Sequence, residues 1–397
     1  MPFTDLDIEV TETEQAVRET AHRFAIDVMR PAGQELDQMS PEDVIAGDSI
    51  FWEVQHKRQE LGLNDPTGGD TSLTPLQQAR LNYIVSEEMG YGDAGLAISF
   101  GVNDFPLNMA TLSGKTDLMN LVKDNLTGCW AITEPNHGSD SLDFGGDVKA
   151  EEYSRWDCIA VKDGDSFVLN GQKAAWVSNG VIAEAAALFC GCDMGDGKVE
   201  RAIFIVPLDL QGVSRGKPLN KMGQRALPQG EIFFDSVRFP LDYMAVPPGN
   251  YEAAAHGVLC MANAGMGTIF AGAAQSALDL ALEYTKERVQ GGVPIFEHQS
   301  VKDRLFKMFQ KVETAKALNR RVQSYNAVNT PLLEYCICSK VTSTNAAFEV
   351  ASEALGLFGG NGTSREYPIE KIFRDARSSM IEDGSNEFLG LIAASRF

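Results

Sequence analysis

A chain of 397 residues is too long for one hydrophobic core, which predicts two or three structural units. With 44% hydrophobic and 22% charged residues it is neither disordered nor fibrous. The 55 acidic residues outnumber the 34 basic ones, and a formal net charge of −21 excludes nucleic acid and anionic membrane surfaces as partners.

The opening MPFTDLDIEV is acidic and lacks the basic-then-apolar layout of a signal peptide. No uninterrupted apolar run approaches the roughly 20 residues of a membrane span. Seven cysteines make no disulfide framework over this length. Cys190/Cys192 and Cys336/Cys338 have no histidine or further cysteine at zinc-ligand spacing, so buried thiols are expected and a metal site is not. The expected setting is reducing and cytoplasmic.

Residues 1–124 read as a helical domain. Thr11-Glu12-Thr13-Glu14 is a capping box, and Val17, Ala21, Phe24 and Val28 recur at helical spacing until Pro31, where the run is expected to stop. Thr74 is an N-cap with Pro75 at the first helical position and Gln77 at the third; its helix ends near Gly90. Between them, Pro41 to Gly62 is helix-like.

Residues 125–246 change texture. Ser166–Leu169, Ala187–Cys190, Ile203–Val206 and Ile232–Phe234 are short β-branched or aromatic runs. Asn170-Gly171 predicts a hairpin turn before Lys173–Ser178, because a type I′ turn needs positive φ at both central residues. The spacing predicts a small barrel or sandwich, and Val246-Pro247-Pro248-Gly249-Asn250 reads as a linker. Residues 247–397 return to helix: Phe270, Ala274, Ala277, Ala281 and Tyr284 line one face, and Gly356–Gly362 interrupts a later helix. The fold class is α+β multidomain: a helical domain, a middle β domain and a C-terminal helical bundle.

Local segments carry more. The run Trp130-Ala131-Ile132-Thr133-Glu134-Pro135-Asn136-His137-Gly138-Ser139-Asp140 is followed by Lys173-Ala174-Ala175-Trp176-Val177-Ser178-Asn179-Gly180, then Met222-Gly223-Gln224-Arg225 and Phe234–Pro240. Arg288–Gly292, Glu297-His298-Gln299, Gly359-Gly360-Asn361-Gly362, Glu366-Tyr367-Pro368 and Arg374-Asp375-Ala376 complete the series. In this order, over about residues 10–392, they resemble the FAD-dependent acyl-CoA dehydrogenases.

The resemblance implies an FAD site at Trp130, Ile132, Thr133, Gly138, Ser139, Trp176 and Ser178. The residue types suit the ring, a large apolar plane with polar edges that takes an indole on its face and hydroxyls or amides at its rim. Trp176 and Ser178, two apart on a strand, share one side of the sheet. Arg288, Gln290 and Gln299 match positions that reach the FAD of a neighbouring subunit, and Gly359-Gly360 matches its adenine side; a homotetramer or homodimer follows. Ser385 and Glu387 complete the implied cofactor set. His137 stands where alanine is usual in the family, and a lone histidine reads as a packing or hydrogen-bonding residue.

The family's catalytic glutamate stands in an Ile-Tyr-Glu-Gly-Thr run. Here the match is Ile381-Glu382-Asp383-Gly384-Ser385, which puts the base at Asp383, shorter by about 1.5 Å of reach. The alternative upstream base position is Ala262, so Asp383 is the expected base; the competing structural reading is a cap for the helix after Gly384. The family's coenzyme A pair falls on Cys260 and Asn263, which also admits an acyl-carrier thioester. Asp104, in the segment that walls the acyl pocket in relatives, with Ser139 and Asp383 forms the expected substrate set and would suit an alicyclic acyl group; the bland reading of Asp104 is a solvent-facing carboxylate.

The implied reaction is removal of an α proton by Asp383 with hydride transfer from the β carbon to flavin N5. The thioester oxygen would be polarised by the Asp383 amide and a flavin hydroxyl. The substrate is expected to be short, branched or alicyclic, and an electron-transferring flavoprotein is the expected acceptor. Two alternatives stay open: a nitroalkane-oxidase-like flavoenzyme, since that group uses aspartate here, and an inactive member serving as a binding subunit.

Overall fold

The computed structural model describes residue 6 and residues 9–122, 126–143 and 156–397. The expected boundary at 124/125 lies outside the described residues.

The N-terminal helices are α1 (Glu12–Phe24), α2 (Arg30–Gln38), α3 (Pro41–Val44), α4 (Ile50–Glu60), α5 (Pro75–Gly92), α6 (Ala94–Asn103), α7 (Phe105–Ser113) and α8 (Thr116–Leu121). Both capping boxes form, Thr11 with Glu14 and Thr74 with Gln77. Pro31 does not stop the helix. A π-helical stretch at Ala25–Met29 intervenes, and Pro31 sits in the first turn of α2, where a missing N–H leaves no partner empty.

The middle strands are β1 (Gly128–Ala131), β2 (Ile159–Asp163), β3 (Ser166–Ser178), β4 (Ala185–Asp193), β5 (Val199–Pro207), β6 (Val213–Arg215), β7 (Gln229–Pro240) and β8 (Met244–Val246). They form one eight-stranded sheet in the order β6-β7-β3-β2-β4-β5-β8, with β1 parallel to β4. The sheet curls on its own core, where Phe167, Phe204 and Phe239 meet. Its other face, including Trp130, Ala187, Phe189 and Ile203, packs under helices. β4 is therefore buried on both sides, and its sequence reads as one apolar run.

Asn170-Gly171 is not a hairpin turn. It lies inside β3 opposite a bulge in β7, where Asp235 and Ser236 together face Asn170, and the Asn170 side-chain oxygen accepts the Ser236 N–H at 2.8 Å. Gly171 (φ +133°) is required there, because a Cβ would stand 2.5 Å from the Cys158 Cα. The turn before β3 is Gly164-Asp165, with Gly164 at φ +64°.

The 3₁₀ turn Pro248–Asn250 leads into α9 (Tyr251–Glu287). The short hairpin β9 (Val289–Gln290) and β10 (Val293–Pro294) follows, then α10 (Gln299–Val328), α11 (Leu333–Phe358), α12 (Ile369–Ser379) and α13 (Asn386–Ala394). By length and composition helix α9 is long and apolar enough to cross a membrane, although Asn263, Thr268, Gln275 and Ser276 interrupt its apolar residues, so that no uninterrupted run spans it. Its most apolar 18-residue window is 72% buried within the protein. Gly90 of α5 and Gly272 of α9 let these helices cross at backbone contact, since a Cβ at either would lie 1.9 Å from a carbonyl oxygen opposite. The N-terminal helices thus share cores with the C-terminal bundle.

Candidate active site

The cofactor-side residues gather where β1 runs into the 132–140 loop beside β3. The Ala174 N–H donates to the Thr133 carbonyl at 2.9 Å, stitching that loop to the strand. Below it Glu134 is buried, taking the Lys173 ammonium at 2.6 Å and the Asp157 N–H at 2.6 Å. The loop's return is pinned by Asp140, which accepts from the Gly138 N–H at 2.7 Å and contacts His137 Nδ1 at 2.9 Å. The outcome is an open cleft of about 500 Å³, walled by Thr133, Glu134, Pro135, Asn136, His137, Gly138, Gln172, Ala174, Ala175, Trp176 and Glu231.

Trp176 leaves 60% of its surface exposed on that cleft. Val177 between it and Ser178 is buried, so the alternation places Trp176 and Ser178 on the outer face. Trp130 behaves differently: its indole is in the core, stacked 5.0 Å from Phe105 and near Phe189, with Nε1 buried and unpartnered. Ile132 is also buried. Glu134, His137 and Asp157 come close enough to hold a metal ion, but Glu134 is committed to Lys173 and to backbone amides, and His137 to Asp140. All seven cysteines are free thiols; six are buried and Cys338 is exposed.

The candidate base lies on the turn between α12 and α13. Asp383 (φ +49°) and Gly384 (φ +97°) are consecutive left-handed residues, and the Asn386 N–H closes the turn on the Met380 carbonyl at 2.9 Å. Asp383 does not cap α13; Ser385 does, accepting the Phe388 N–H at 3.2 Å. The Ser385 N–H in turn donates to Ser139 Oγ at 2.9 Å, so the base loop is bonded to the cleft loop. Glu387, on the first turn of α13, is exposed.

Sequence reasoning missed Lys340. It is buried on α11 and donates to the Gly384 carbonyl and to Asn386 Oδ1, each at 2.8 Å. Burial pushes its ammonium down to about 8, against the pull of Asp383, Glu382 and Glu387. Burial raises the Asp383 carboxyl above its ordinary value, and Lys340 opposes that rise. Glu382 is pushed up to about 7 by burial, moderated by Lys221 and the Gln224 amide. No local signal marked it, since Ser339, Ser343 and Thr344 make the buried face of α11 around it polar in any case.

Asp104 is not joined to this group. It accepts from Arg58 Nη2 at 2.9 Å, with its side chain 39% exposed, in a separate cleft with Asn103, Leu107 and Leu126. The solvent-side reading is therefore the one the structure favours, because an ion pair satisfies the carboxylate there. Cys260 and Asn263 are fully buried in α9, and Asn263 Nδ2 donates to the Leu259 carbonyl at 3.0 Å.

Arg288, Gln290, Gln299, Gly359 and Gly360 form a third group, all exposed. They share one end of the bundle: Tyr284 stacks on Phe358 at 4.0 Å, and Asn361 Nδ2 donates to its hydroxyl at 3.0 Å. That end is remote from the base. Gly267 abuts Ser339, next to Lys340, and 21 residues of α9 separate Gly267 from Arg288, about 30 Å at 1.5 Å per residue.

The family descriptions "Acyl-CoA dehydrogenase, middle domain" and "Acyl-CoA dehydrogenase, C-terminal domain" match residues 129–237 and 253–397. The mitochondrial short-chain specific acyl-CoA dehydrogenase of Rattus norvegicus is 28% identical, over 98% of this chain and 90% of its own length. The solved butyryl-CoA dehydrogenase from Megasphaera elsdenii superposes with a TM-score of 0.84 at 26% identity, covering 98% of this chain and 99% of that one. A glutaryl-CoA dehydrogenase from Mycobacterium smegmatis in complex with FADH2 shares the fold, with a TM-score of 0.80 at 21% identity over 96% and 93% of the two chains.

Proposed function

The chain belongs to the acyl-CoA dehydrogenase family, and from that premise we propose that it uses FAD to dehydrogenate an acyl thioester, with Asp383 as the base. The observation that carries the reading is the bond between Ser385 and Ser139, which ties the loop of a half-buried aspartate of raised proton affinity to the loop of the cleft that Trp176 lines. An exposed indole and a hydroxyl on one strand face, beside the Gly138 turn, fit a flat ring with a polar rim.

Trp176, Ser178 and the Gly138 turn would hold FAD, which would supply the acceptor for the hydride of the substrate's β carbon. Asp383 removes the α proton, and its raised proton affinity brings a carboxylate closer to the basicity that task needs. Lys340 keeps the loop in place from behind. The shorter reach of an aspartate favours a thioester whose acyl group sits close to the loop, of short, branched or alicyclic type. Coenzyme A is the carrier and an electron-transferring flavoprotein the acceptor in this reading. The distance between the Arg288 group and the base supports an oligomer, dimer or tetramer, in which a second copy completes each FAD site. Seven free thiols support a reducing, cytoplasmic setting.

Anaerobic bleaching of the flavin absorbance by linear, branched and cyclohexane-type acyl-CoA thioesters tests this. We expect one class to bleach it and Asp383→Asn to abolish the response. A yellow protein that no thioester bleaches, but a primary nitroalkane does, overturns the reading in favour of nitroalkane oxidation; a colourless protein that takes up no FAD favours a binding subunit.

A further inference from the structure

Gln229 begins β7 and stands directly opposite Ser178 of β3, so the two side chains share a face. It is 4% exposed, and each end of its amide is used. The Lys221 ammonium donates to Gln229 Oε1 at 2.7 Å and to the Leu227 carbonyl at 2.8 Å. Gln229 Nε2 donates to the Trp176 carbonyl at 3.2 Å and to Ser178 Oγ at 3.0 Å.

The orientation of this amide follows from its neighbours. An ammonium has only hydrogens to give, so it must face the amide oxygen; a carbonyl has only lone pairs, so it must face the NH2. Both ends agree. Ser178 Oγ therefore stands as an acceptor toward Gln229, and its one hydrogen is left to point elsewhere. The open direction is the outer face it shares with Trp176. Burial pushes the Lys221 ammonium down to about 8, opposed by Glu382 and Asp375, with Arg225 and Lys371 as the cations nearby.

We propose that Gln229 is a positioning residue, locked by Lys221, that orients the Ser178 hydroxyl as a hydrogen-bond donor to the polar rim of the bound flavin. This rests on the reading that FAD binds against Trp176 and Ser178.

The discriminating variant is Gln229→Glu. It keeps shape and gains an ion pair with Lys221, but it cannot donate. Ser178 must then turn its hydrogen toward the introduced carboxylate and away from the cleft. Two readouts on the holoenzyme serve: the position of the flavin absorption bands, and FAD affinity from the fluorescence released on dilution. We expect the bands to shift and FAD to bind roughly five- to tenfold more weakly, the worth of about one hydrogen bond. Ser178→Ala should produce the same changes, and the double variant should show no further loss. Should Gln229→Glu fail to fold, Gln229→Met removes the donor that faces Ser178 and carries the same expectation.

Wild-type spectra and affinity in Gln229→Glu, or losses that simply add in the double variant, overturn the inference while the FAD reading stands. A wild-type chain that binds no FAD sinks both together.

Discussion

Ser139 Oγ accepts the backbone N–H of Ser385 at 2.9 Å, across 246 residues of sequence. One partner belongs to the loop that walls the cleft, the other follows the candidate base by two residues. The cap of α13, the left-handed turn at Asp383 and the cleft loop are thereby one hydrogen-bonded unit. Displacement of either domain would move the base relative to the cleft, in chemistry where a 1 Å error can cost about 10²-fold.

Ser139→Ala should therefore affect two quantities. Loss of the acceptor costs about 1 kcal/mol in urea unfolding, and turnover should fall by more than that stability loss explains. Unchanged kcat would show that the bond only staples the domains.

Asp383→Glu restores the missing methylene, yet in this chain the loop is set for the shorter acid. We expect turnover with the best substrate to fall by about 10²-fold, with FAD content unchanged. Turnover above wild type would mean that reach, and not loop geometry, limits the enzyme.

Asp383→Asn has a stability signature of its own. Burial raises the folded-state value above 3.8, so below that pH both states hold the proton and the aspartate costs nothing. As pH rises past 3.8 the unfolded chain ionises first, and wild-type stability declines until the folded carboxyl ionises too. The variant should thus gain stability over wild type at about pH 8 and lose that advantage near about pH 3.5 in paired thermal melts.

Lys340→Met removes the cation that opposes the burial of Asp383. The carboxyl then holds its proton to higher pH, and since only the carboxylate is a base, the rising limb of kcat/KM against pH should move up by on the order of one unit. Loss of the two bonds to Gly384 and Asn386 should also destabilise by about 3 kcal/mol in denaturant. An unmoved pH limb would separate Lys340 from the chemistry and leave it structural.

Gly171→Ala tests the close approach of β3 to Cys158 beside the β7 bulge. With a Cβ 2.5 Å from the Cys158 Cα, strand β2 must move, and we expect roughly 2 kcal/mol of destabilisation or more. Asn170→Gly, which loses only the bond from Ser236, should cost less. Equal effects would show that the contact with Cys158 is not what requires glycine at 171.

Much of this protein was written locally. Capping boxes at Thr11 and Thr74, the apolar runs of β3, β4, β5 and β7, and the small-residue face of α9 depend on neighbours a few residues away, and the chain formed them where spacing predicted. The ordered motifs likewise carried the family and the Trp176/Ser178 pair, because a strand's alternation fixes which side chains share a face.

Tertiary structure decided what distant partners control. Asn170-Gly171 became strand interior because β7, bulged at Asp235-Ser236, and Cys158 lie against it, and Pro31 passed inside a helix next to a π turn. Trp130 went to the core because Phe105 and Phe189 flank it, and Asp104 went to Arg58. Lys340, Gln229 and Lys221 carry no local signal of their role: a buried ammonium or amide acquires its function from the groups that solvate it in place of water, and those groups come together only when the chain folds.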